Sequence, residues 1–184
     1  MAIPDVHIHD TLIEECRSGS RKAQFRLYEL YSKAMFNAAY RIVNNRAEAE
    51  DMLQEAFTDC FRSLGSYRSE STFGAWLKTI VINKCINRLR KIEAELVYVD
   101  DYQSVERPAE EEEEVTWPDT FVIAKAAEKL PDGHRVVFSL YLLEGYDHAE
   151  ISQIMNISES TSKTQYLRAK NKLKKILINM QKDG

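Results

Sequence analysis

The sequence is poor in glycine and proline, and it has no long hydrophobic run. Six glycines and four prolines in 184 residues argue against a turn-rich β-sandwich and a glycine-rich nucleotide-binding fold, and they favour helix. No apolar run approaches the roughly 20 residues that a membrane-spanning helix needs. The first ten residues also lack the basic and then apolar pattern of a secretory signal. We therefore expect a cytoplasmic protein.

Cysteine is also scarce, and the histidines are not arranged for metal binding. Cys16, Cys60 and Cys85 are odd in number and far apart, so they indicate neither a disulfide framework nor a Cys-x-x-Cys metal site. Cys60 and Cys85 lie in apolar stripes, which predicts buried thiols. The four histidines lack metal-ligand spacing with the cysteines. Since no nucleophile–base pair or phosphate loop is present either, we expect no metal, cofactor, small-molecule substrate or enzymatic activity.

The net charge of −4 is unevenly distributed. Residues 11–92 have 14 Lys/Arg and nine Asp/Glu, and residues 119–184 have ten Lys/Arg and eight Asp/Glu. Residues 93–118, in contrast, have one arginine and ten acidic residues, together with Pro108 and Pro118 and no sustained helical period. This pattern predicts a flexible acidic linker between two basic helical domains. A weakly acidic total charge therefore does not argue against a nucleic-acid partner.

The first domain, residues 11–92, has apolar residues at spacings of three and four, which predicts amphipathic helices that pack into a bundle. Breaks are expected near Asn44 and Asn45 and at Gly65 and Ser66. The repeating positions are Phe25, Tyr28, Tyr31, Met35, Ala38 and Ile42, then Met52, Leu53, Ala56, Phe57, Cys60, Phe61 and Leu64, then Phe73, Trp76, Leu77, Ile80, Val81, Ile86 and Leu89. The predicted fold class is all-α.

The second domain, residues 119–182, is also predicted to be helical. Four helices are expected, over 121–130, 134–143, 147–155 and 158–180, with a break at Pro131-Asp132-Gly133. The last two are joined by only Asn156 and Ile157, a connection typical of a DNA-binding helix-turn-helix. Asp147, with Glu150 three residues later, predicts a capping box at the first of these helices.

The final helix has the charge of a nucleic-acid-binding element. No acidic residue lies between Ser160 and Lys182, while this stretch contains seven basic residues. Each phosphate that such a helix neutralises releases counterions. Its N-terminal residues are those that could enter a major groove and contact base edges.

Motifs in both domains resemble those of bacterial extracytoplasmic-function (ECF) sigma factors. In the first domain, Asp51, Gln54, Glu55 and Phe57 match D-x-x-Q-E-x-F, and residues 67–80 match F/Y-R-x-x-S-x-F-x-x-W-L-x-x-I. In the second, Leu130-Pro131, Gly145, Glu150-Ile151 and Arg168-Ala169 resemble the L-P…G-x-x-x-x-E-I…R-A pattern. The resemblance covers roughly residues 11–180.

The resemblance implies roles for three sets of residues. It implies that the first domain (sigma domain two) binds the β′ clamp helices of core RNA polymerase and the melted −10 strand of promoter DNA. It implies that the second (sigma domain four) binds the β-flap and the −35 element. The matching residues are Asp51, Gln54 and Glu55 for polymerase; Tyr67, Ser69, Ser71, Asn83, Lys84, Asn87 and Arg88 for the −10 element; and Ser160, Thr161, Lys163, Thr164, Gln165, Leu167 and Arg168 for the −35 element. An anti-sigma factor is an expected partner.

Two features depart from the family pattern. Many relatives have G-T-V-K-S-R where this chain has Ser160-Thr161-Ser162-Lys163-Thr164-Gln165. Ser162 therefore replaces a buried valine-like residue, and Gln165 replaces a common arginine. Two other functions remain as alternatives: a one-component helix-turn-helix regulator that binds DNA without replacing sigma, and a helical interaction protein such as an anti-sigma or adaptor factor. The motif of Asp51, Gln54 and Glu55 argues against the first, and the basic final helix argues against the second.

Overall fold

The structure is a computed structural model that describes residues 9–95 and 119–182. These two ranges form eight α-helices and contain no strand, which confirms the predicted all-α fold. The helices are α1 (Asp10–Arg17), α2 (Arg21–Val43), α3 (Arg46–Arg62), α4 (Phe73–Glu95), α5 (Thr120–Ala127), α6 (Asp132–Phe138), α7 (His148–Met155) and α8 (Glu159–Lys182). None of the described helices is long and apolar enough to cross a membrane. The chain divides into two compact units near residue 90.

The N-terminal unit buries one apolar face each of α2, α3 and α4. The break predicted at Asn44 and Asn45 is present: Asn44 is left-handed at a φ of 53°, and the Asn45 side chain caps α3 by accepting from the Glu48 amide at 3.1 Å. The predicted burial of Cys60 and Cys85 is confirmed, and burial raises the pKa of both thiols to about 12. Residues that are almost inaccessible to solvent include Leu27, Ile42, Ala56, Leu77 and Val81.

Two expectations for this unit need correction. Phe25 begins the predicted apolar stripe, but its side chain is 62% exposed. The buried residues at this end of α2 are instead Ala23 and Leu27, so the stripe begins in a different register. In addition, α4 continues to Glu95, three residues into the predicted linker. The rest of that linker lies outside the described residues.

The C-terminal unit consists of α5 to α8 around a core of small and aromatic residues. Its buried core is formed by Ile123, Ala126, Ala127, Leu130, Phe138, Ala169 and Leu173. The predicted break at Pro131-Asp132-Gly133 is too long, because α6 begins at Asp132 with Pro131 as its N-cap. An acidic first residue is favourable at this end of a helix, and Asp132 also pairs with Arg135 at 2.7 Å.

The second helix of this unit does not remain α-helical to its end. It was predicted to span residues 134–143, but α6 ends at Phe138 and continues as a π-helical turn, Ser139–Leu143. The turn leaves Tyr141 and Leu142 partly exposed. Turns of this kind inside helices are frequent at functional sites, and this one places Tyr141 beside the helix-turn-helix described below.

Candidate polymerase and nucleic-acid interfaces

The three predicted polymerase-binding residues lie together on an exposed face of α3. Asp51, Gln54 and Glu55 are spaced by three and four residues, so they share one side of the helix, and all three are exposed. The two residues between Asp51 and Gln54, Met52 and Leu53, lie on the other side of the helix and are buried. The core thus holds α3 rigidly while this polar face remains open for a partner.

A cleft of about 340 Å³ adjoins this face between α2 and α3. It is lined by Tyr28, Ser32, Lys33, Phe36, Arg46, Glu50, Leu53 and Gln54. A cleft lined by both aromatic and charged side chains suits the insertion of one protein side chain. Of the lining residues, only Gln54 was among the predicted site residues. The others were missed because their positions on α2 and α3 are neighbours only in the folded chain.

Ion pairs connect the predicted polymerase-binding helix to the predicted −10 helix. Lys84 Nζ on α4 lies 2.8 Å from Asp59 Oδ2 and 3.3 Å from Glu55 Oε2 on α3. The hydrogen bond to Asp59 contributes most to raising the pKa of Lys84, and the same bond lowers the pKa of Asp59. A predicted polymerase residue and a predicted DNA residue are therefore in direct contact.

A second ion pair joins the same two helices, one turn further along α4. Arg88 Nε and Nη2 donate to the two carboxylate oxygens of Glu48 at 2.6 and 2.8 Å. This bidentate geometry is the strongest arrangement for such a pair, and it lowers the pKa of Glu48. Lys84 and Arg88, both predicted to contact promoter DNA, are thus held by carboxylates of α3. Asp59 and Glu48 were not identified from sequence, since ion pairs between helices leave no local signal.

In the predicted −10 loop before α4, the side chain of Tyr67 is buried, which argues against a stacking contact between its ring and a DNA base. The Tyr67 side chain is only 3% exposed, and its hydroxyl donates to the Ser71 carbonyl oxygen at 2.8 Å. Its ring also packs against Phe73 and Trp76, with centroids 5.6 and 5.2 Å away. Stacking on an extruded base needs an open ring face, so Tyr67 stabilises the loop instead.

The other predicted −10 residues are accessible. Ser71 lies in the exposed part of the loop, and Asn83 and Asn87, one turn apart, are exposed on α4. Ser69 is half-buried and left-handed at a φ of 57°, a conformation that is uncommon for serine and recurs at functional sites. Arg17 of α1, which sequence reasoning missed, donates to the carbonyl oxygen of Tyr67 at 2.5 Å and anchors the start of the loop.

The helix-turn-helix in the C-terminal unit is confirmed in detail. Asp147 Oδ1 accepts from the Glu150 amide, and Glu150 Oε2 accepts from the Asp147 amide, both at 2.8 Å, which completes the predicted capping box. Asn156 is left-handed at a φ of 53°, as a tight corner requires. Ser158 caps α8 by accepting from the Thr161 amide at 3.0 Å.

Most of the predicted −35 residues share the open side of α8. At 100° per residue, the buried stripe of α8 contains Ser162, Tyr166, Ala169 and Leu173. The opposite side contains Ser160, Thr161, Lys163, Thr164, Leu167 and Arg168, of which four are exposed and two are half-buried. Gln165 falls at the edge between the two sides. The structure therefore brings together six of the seven predicted residues.

Three of these side chains form weak contacts within α8. Lys163 Nζ lies 2.7 Å from Glu159 Oε1, and both side chains are more than half exposed. The Thr164 hydroxyl donates to the Ser160 carbonyl oxygen at 3.0 Å, and the hydroxyls of Thr161 and Ser158 lie 2.7 Å apart. An exposed ion pair such as that of Lys163 contributes only about 0.3–0.5 kcal/mol, so it presents little obstacle to binding DNA.

Ser162, the position that departs from the family pattern, is completely buried and hydrogen-bonded. Its Oγ lies 2.9 Å from His148 Nδ1, at the start of α7. The His148 ring stacks on Tyr141 with centroids 4.4 Å apart and planes at 15°, and it meets Tyr166 edge to face at 5.8 Å. We call these four residues the His148 cluster. Burial and nearby Lys163 lower the pKa of His148, against smaller opposing effects of Glu159 and Asp147.

Comparison with known families identifies both units. Residues 27–95 match Sigma-70 region 2, and residues 121–173 match Sigma-70, region 4. The ECF RNA polymerase sigma factor SigM of Bacillus subtilis strain 168 is 30% identical over 154 residues, covering 80% of this chain and 91% of that protein. The chain is an ECF sigma factor of the sigma-70 family. A sigma factor directs RNA polymerase, and the motif resemblance in both units is thereby confirmed.

Further relatives agree with this membership. The ECF sigma factor SigW of the same Bacillus strain is 28% identical over 179 residues, covering 91% of this chain and 96% of that protein. Among solved structures, RpoE of Bartonella quintana, in complex with the anti-sigma factor NepR, has a TM-score of 0.56 at 24% identity, covering 83% of this chain and 94% of that one. CnrH, in complex with the cytosolic domain of CnrY, has a TM-score of 0.53 at 21% identity over 92% and 96%. These structures share the fold of this sigma factor.

Proposed function

We propose that this sigma factor binds core RNA polymerase in the cytoplasm, brings it to promoters with −35 and −10 elements, and helps to melt the −10 region. The observation that supports this most directly is the open side of α8, where Lys163, Thr164 and Arg168 stand opposite the buried stripe. A helix held in this way can lie in the major groove with donors and acceptors toward base edges.

For the −10 element, we propose recognition by residues 11–92 through the loop before α4 and the exposed face of α4. Asn83 and Asn87 offer amide groups that can hydrogen-bond the edge of an extruded base. Ser71 adds a hydroxyl in the exposed loop, and Lys84 and Arg88 provide charges near the strand. No catalytic group is needed, because a protein that binds the extruded base preferentially shifts the equilibrium toward open DNA.

For polymerase, we propose that Asp51, Gln54 and Glu55 contact the β′ clamp helices. The adjoining cleft between α2 and α3 would accept a side chain from that partner. Residues 119–182 would contact the β-flap while α8 binds the −35 element, and residues 93–118 would connect the two domains. Because RpoE was solved with an anti-sigma factor, we also propose that an anti-sigma factor restrains this protein.

Run-off transcription with purified protein, core polymerase and genomic DNA tests the proposed function. We expect promoter-specific transcripts, and their absence with demonstrably active core would contradict it. In the same assay, Lys163→Ala should weaken recognition of the −35 element while core binding persists. Lys175→Ala, which removes an exposed lysine about three turns further along α8, is the matched control and should have a much smaller effect.

A further inference from the structure

The buried side of α8 contains one polar residue at the level of the proposed −35 contacts. Ser162 is fully buried, and its neighbours Thr161 and Lys163 are exposed and proposed to contact DNA. Further along, the buried residues of α8 are apolar, as at Ala169 and Leu173. Apolar packing is non-directional, whereas a hydrogen bond depends steeply on distance and angle. Ser162 thus supplies a directional contact beside the proposed DNA-contacting residues.

The partner of Ser162 is itself held in place. His148 is the first residue of α7, and the capping box of Asp147 and Glu150 fixes the backbone there. Its ring is stacked on Tyr141, which the π-helical turn brings alongside, and Tyr166 of α8 closes another side. The imidazole therefore offers Nδ1 to the 2.9 Å contact with Ser162 Oγ from a fixed position.

We propose that the hydrogen bond between His148 and Ser162 sets the rotation of α8 about its own axis, so that both are positioning residues for −35 recognition. This inference rests on the proposed function of α8. The Cα atoms of a helix lie about 2.3 Å from its axis and a serine oxygen lies farther out, so a rotation of about 30° moves that oxygen by more than about 1 Å. Such a movement lengthens or misaligns a 2.9 Å contact to a fixed ring, and it therefore weakens the hydrogen bond.

The same rotation would turn the DNA-contacting residues out of register. Binding groups work best when they are held within about 0.5 Å and 10–20° of their productive geometry. Lys163, Thr164 and Leu167 lie within about one and a half turns of Ser162 on the opposite side. Rotation of α8 would therefore change which base edges they reach, in addition to weakening their contacts.

Matched variants separate the hydrogen bond from aromatic packing and from general stability. Ser162→Ala and His148→Phe each remove the hydrogen bond, and His148→Phe keeps a ring against Tyr141. His148→Asn keeps a polar atom near the position of Nδ1 but removes the ring. Ile151→Val trims a fully buried apolar residue of α7 and provides a variant that is destabilised without loss of any hydrogen bond.

The test uses reconstituted holoenzyme on a promoter found by the run-off experiment and on copies of it with single −35 substitutions. We expect Ser162→Ala and His148→Phe to lower transcription from the intact promoter about tenfold. Transcription from the substituted promoters should fall less, so the ratio of intact to substituted promoter transcription should decrease. The double variant should lose no more than either single one, and His148→Asn should retain part of the ratio. A purely structural role would lower all promoters equally, as expected for Ile151→Val, and would overturn the inference.

Amide hydrogen exchange of the full chain without DNA gives a second readout that does not depend on transcription. Loss of the hydrogen bond should speed exchange in the first two turns of α8 more in Ser162→Ala than in Ile151→Val. Equal exchange in the two variants would also overturn the inference. If the two variants exchanged as expected but the unaltered protein gave no promoter-specific transcript, the proposed function would fail while the contact itself would stand.

Discussion

The two helix pairs that hold the proposed DNA contacts are joined by different chemistry. Between α3 and α4 the polar contacts are ion pairs, from Lys84 to Asp59 and from Arg88 to Glu48, with partly exposed side chains. Between α7 and α8 the contact is a hydrogen bond of neutral groups, between His148 and a fully buried Ser162. Exposed charges exchange partners at little cost, whereas a buried hydroxyl that loses its partner is strongly unfavourable. We therefore expect the N-terminal pair to respond to salt and to binding partners, and the helix-turn-helix to be preorganised.

The largest effect is expected from removing the neutral contact. His148→Ala leaves Ser162 without its partner and removes the ring that packs against both Tyr141 and Tyr166, so it should lower the free energy of unfolding of the C-terminal unit by about 2–4 kcal/mol. Added salt should not restore this loss. Urea unfolding followed by amide NMR signals of that unit measures it. His134→Ala is the control, since the buried Nδ1 of His134 has no hydrogen-bond partner within the described residues; an equal loss there would contradict a special role for His148.

A smaller, salt-sensitive effect is expected from the charged contact. Glu48→Gln removes the bidentate partner of Arg88 and should lower the free energy of unfolding of the N-terminal unit by about 1 kcal/mol at low salt. The loss should largely disappear at 1 M salt, where the screening length falls to about 3 Å. Glu50→Gln, which affects the exposed pair with Arg46, should cost less. A loss that is independent of salt would mean that the two helix pairs do not differ as described.

Local patterns predicted most of the fold. Turn residues placed the corners at Asn44 and Asn156, and the spacing of Asp147 and Glu150 predicted the capping box, because such features depend only on neighbours in sequence. The register at Phe25 and the π-helical turn could not be predicted in this way. Both depend on how helices pack, and the apolar pattern fits more than one register.

The candidate sites were predicted as sets of residues, but not their contacts. Exposure of Asp51, Gln54 and Glu55 follows from helical spacing, which places them together opposite the apolar residues of the same helix. The ion pairs of Lys84 and Arg88, and the burial of Tyr67, arise between elements distant in sequence. Ser162 was recognised as a departure from the family pattern. Its hydrogen-bond partner His148, however, lies 14 residues away on another helix. Polar pairs across a helical interface have no signature in a single sequence.

The two units should lose stability at different pH values, because their titrating groups differ. Burial lowers the pKa of His148 and of His134, the latter with help from Lys172 and Arg168. The unfolded state then binds protons more readily, so stability of the C-terminal unit should fall as pH drops below about 6.5.

In the N-terminal unit, hydrogen bonds from Arg88 and Lys84 lower the pKa of Glu48 and Asp59. That unit should lose stability only below about pH 4.5, as these carboxylates become protonated. Urea unfolding at pH 7.5 and 5.5, followed in each unit by NMR, checks the order; equal losses in both units would contradict it.

The smallest effect concerns the one acidic residue at the start of α8. Glu159 pairs with Lys163 at 2.7 Å, on the side that we propose faces DNA phosphates. Its carboxylate favours the helix N-terminus but competes with DNA for Lys163 and repels the phosphates. Because an exposed pair of this kind is worth about 0.3–0.5 kcal/mol, Glu159→Gln should raise holoenzyme affinity for the promoter about twofold. The gain should shrink as salt screens the charges.

Glu128→Gln is the matched control for Glu159→Gln, because it removes the same charge from an exposed pair with Lys125 on α5. Promoter affinity measured by filter binding at several salt concentrations should rise for Glu159→Gln alone. An equal rise in Glu128→Gln would indicate a general effect of net charge, and a fall in Glu159→Gln would mean that the carboxylate contributes more to α8 than it costs in DNA binding. Either result would show that the Glu159–Lys163 pair does not limit promoter binding, because affinity would then follow total charge or the stability of α8 rather than the release of Lys163.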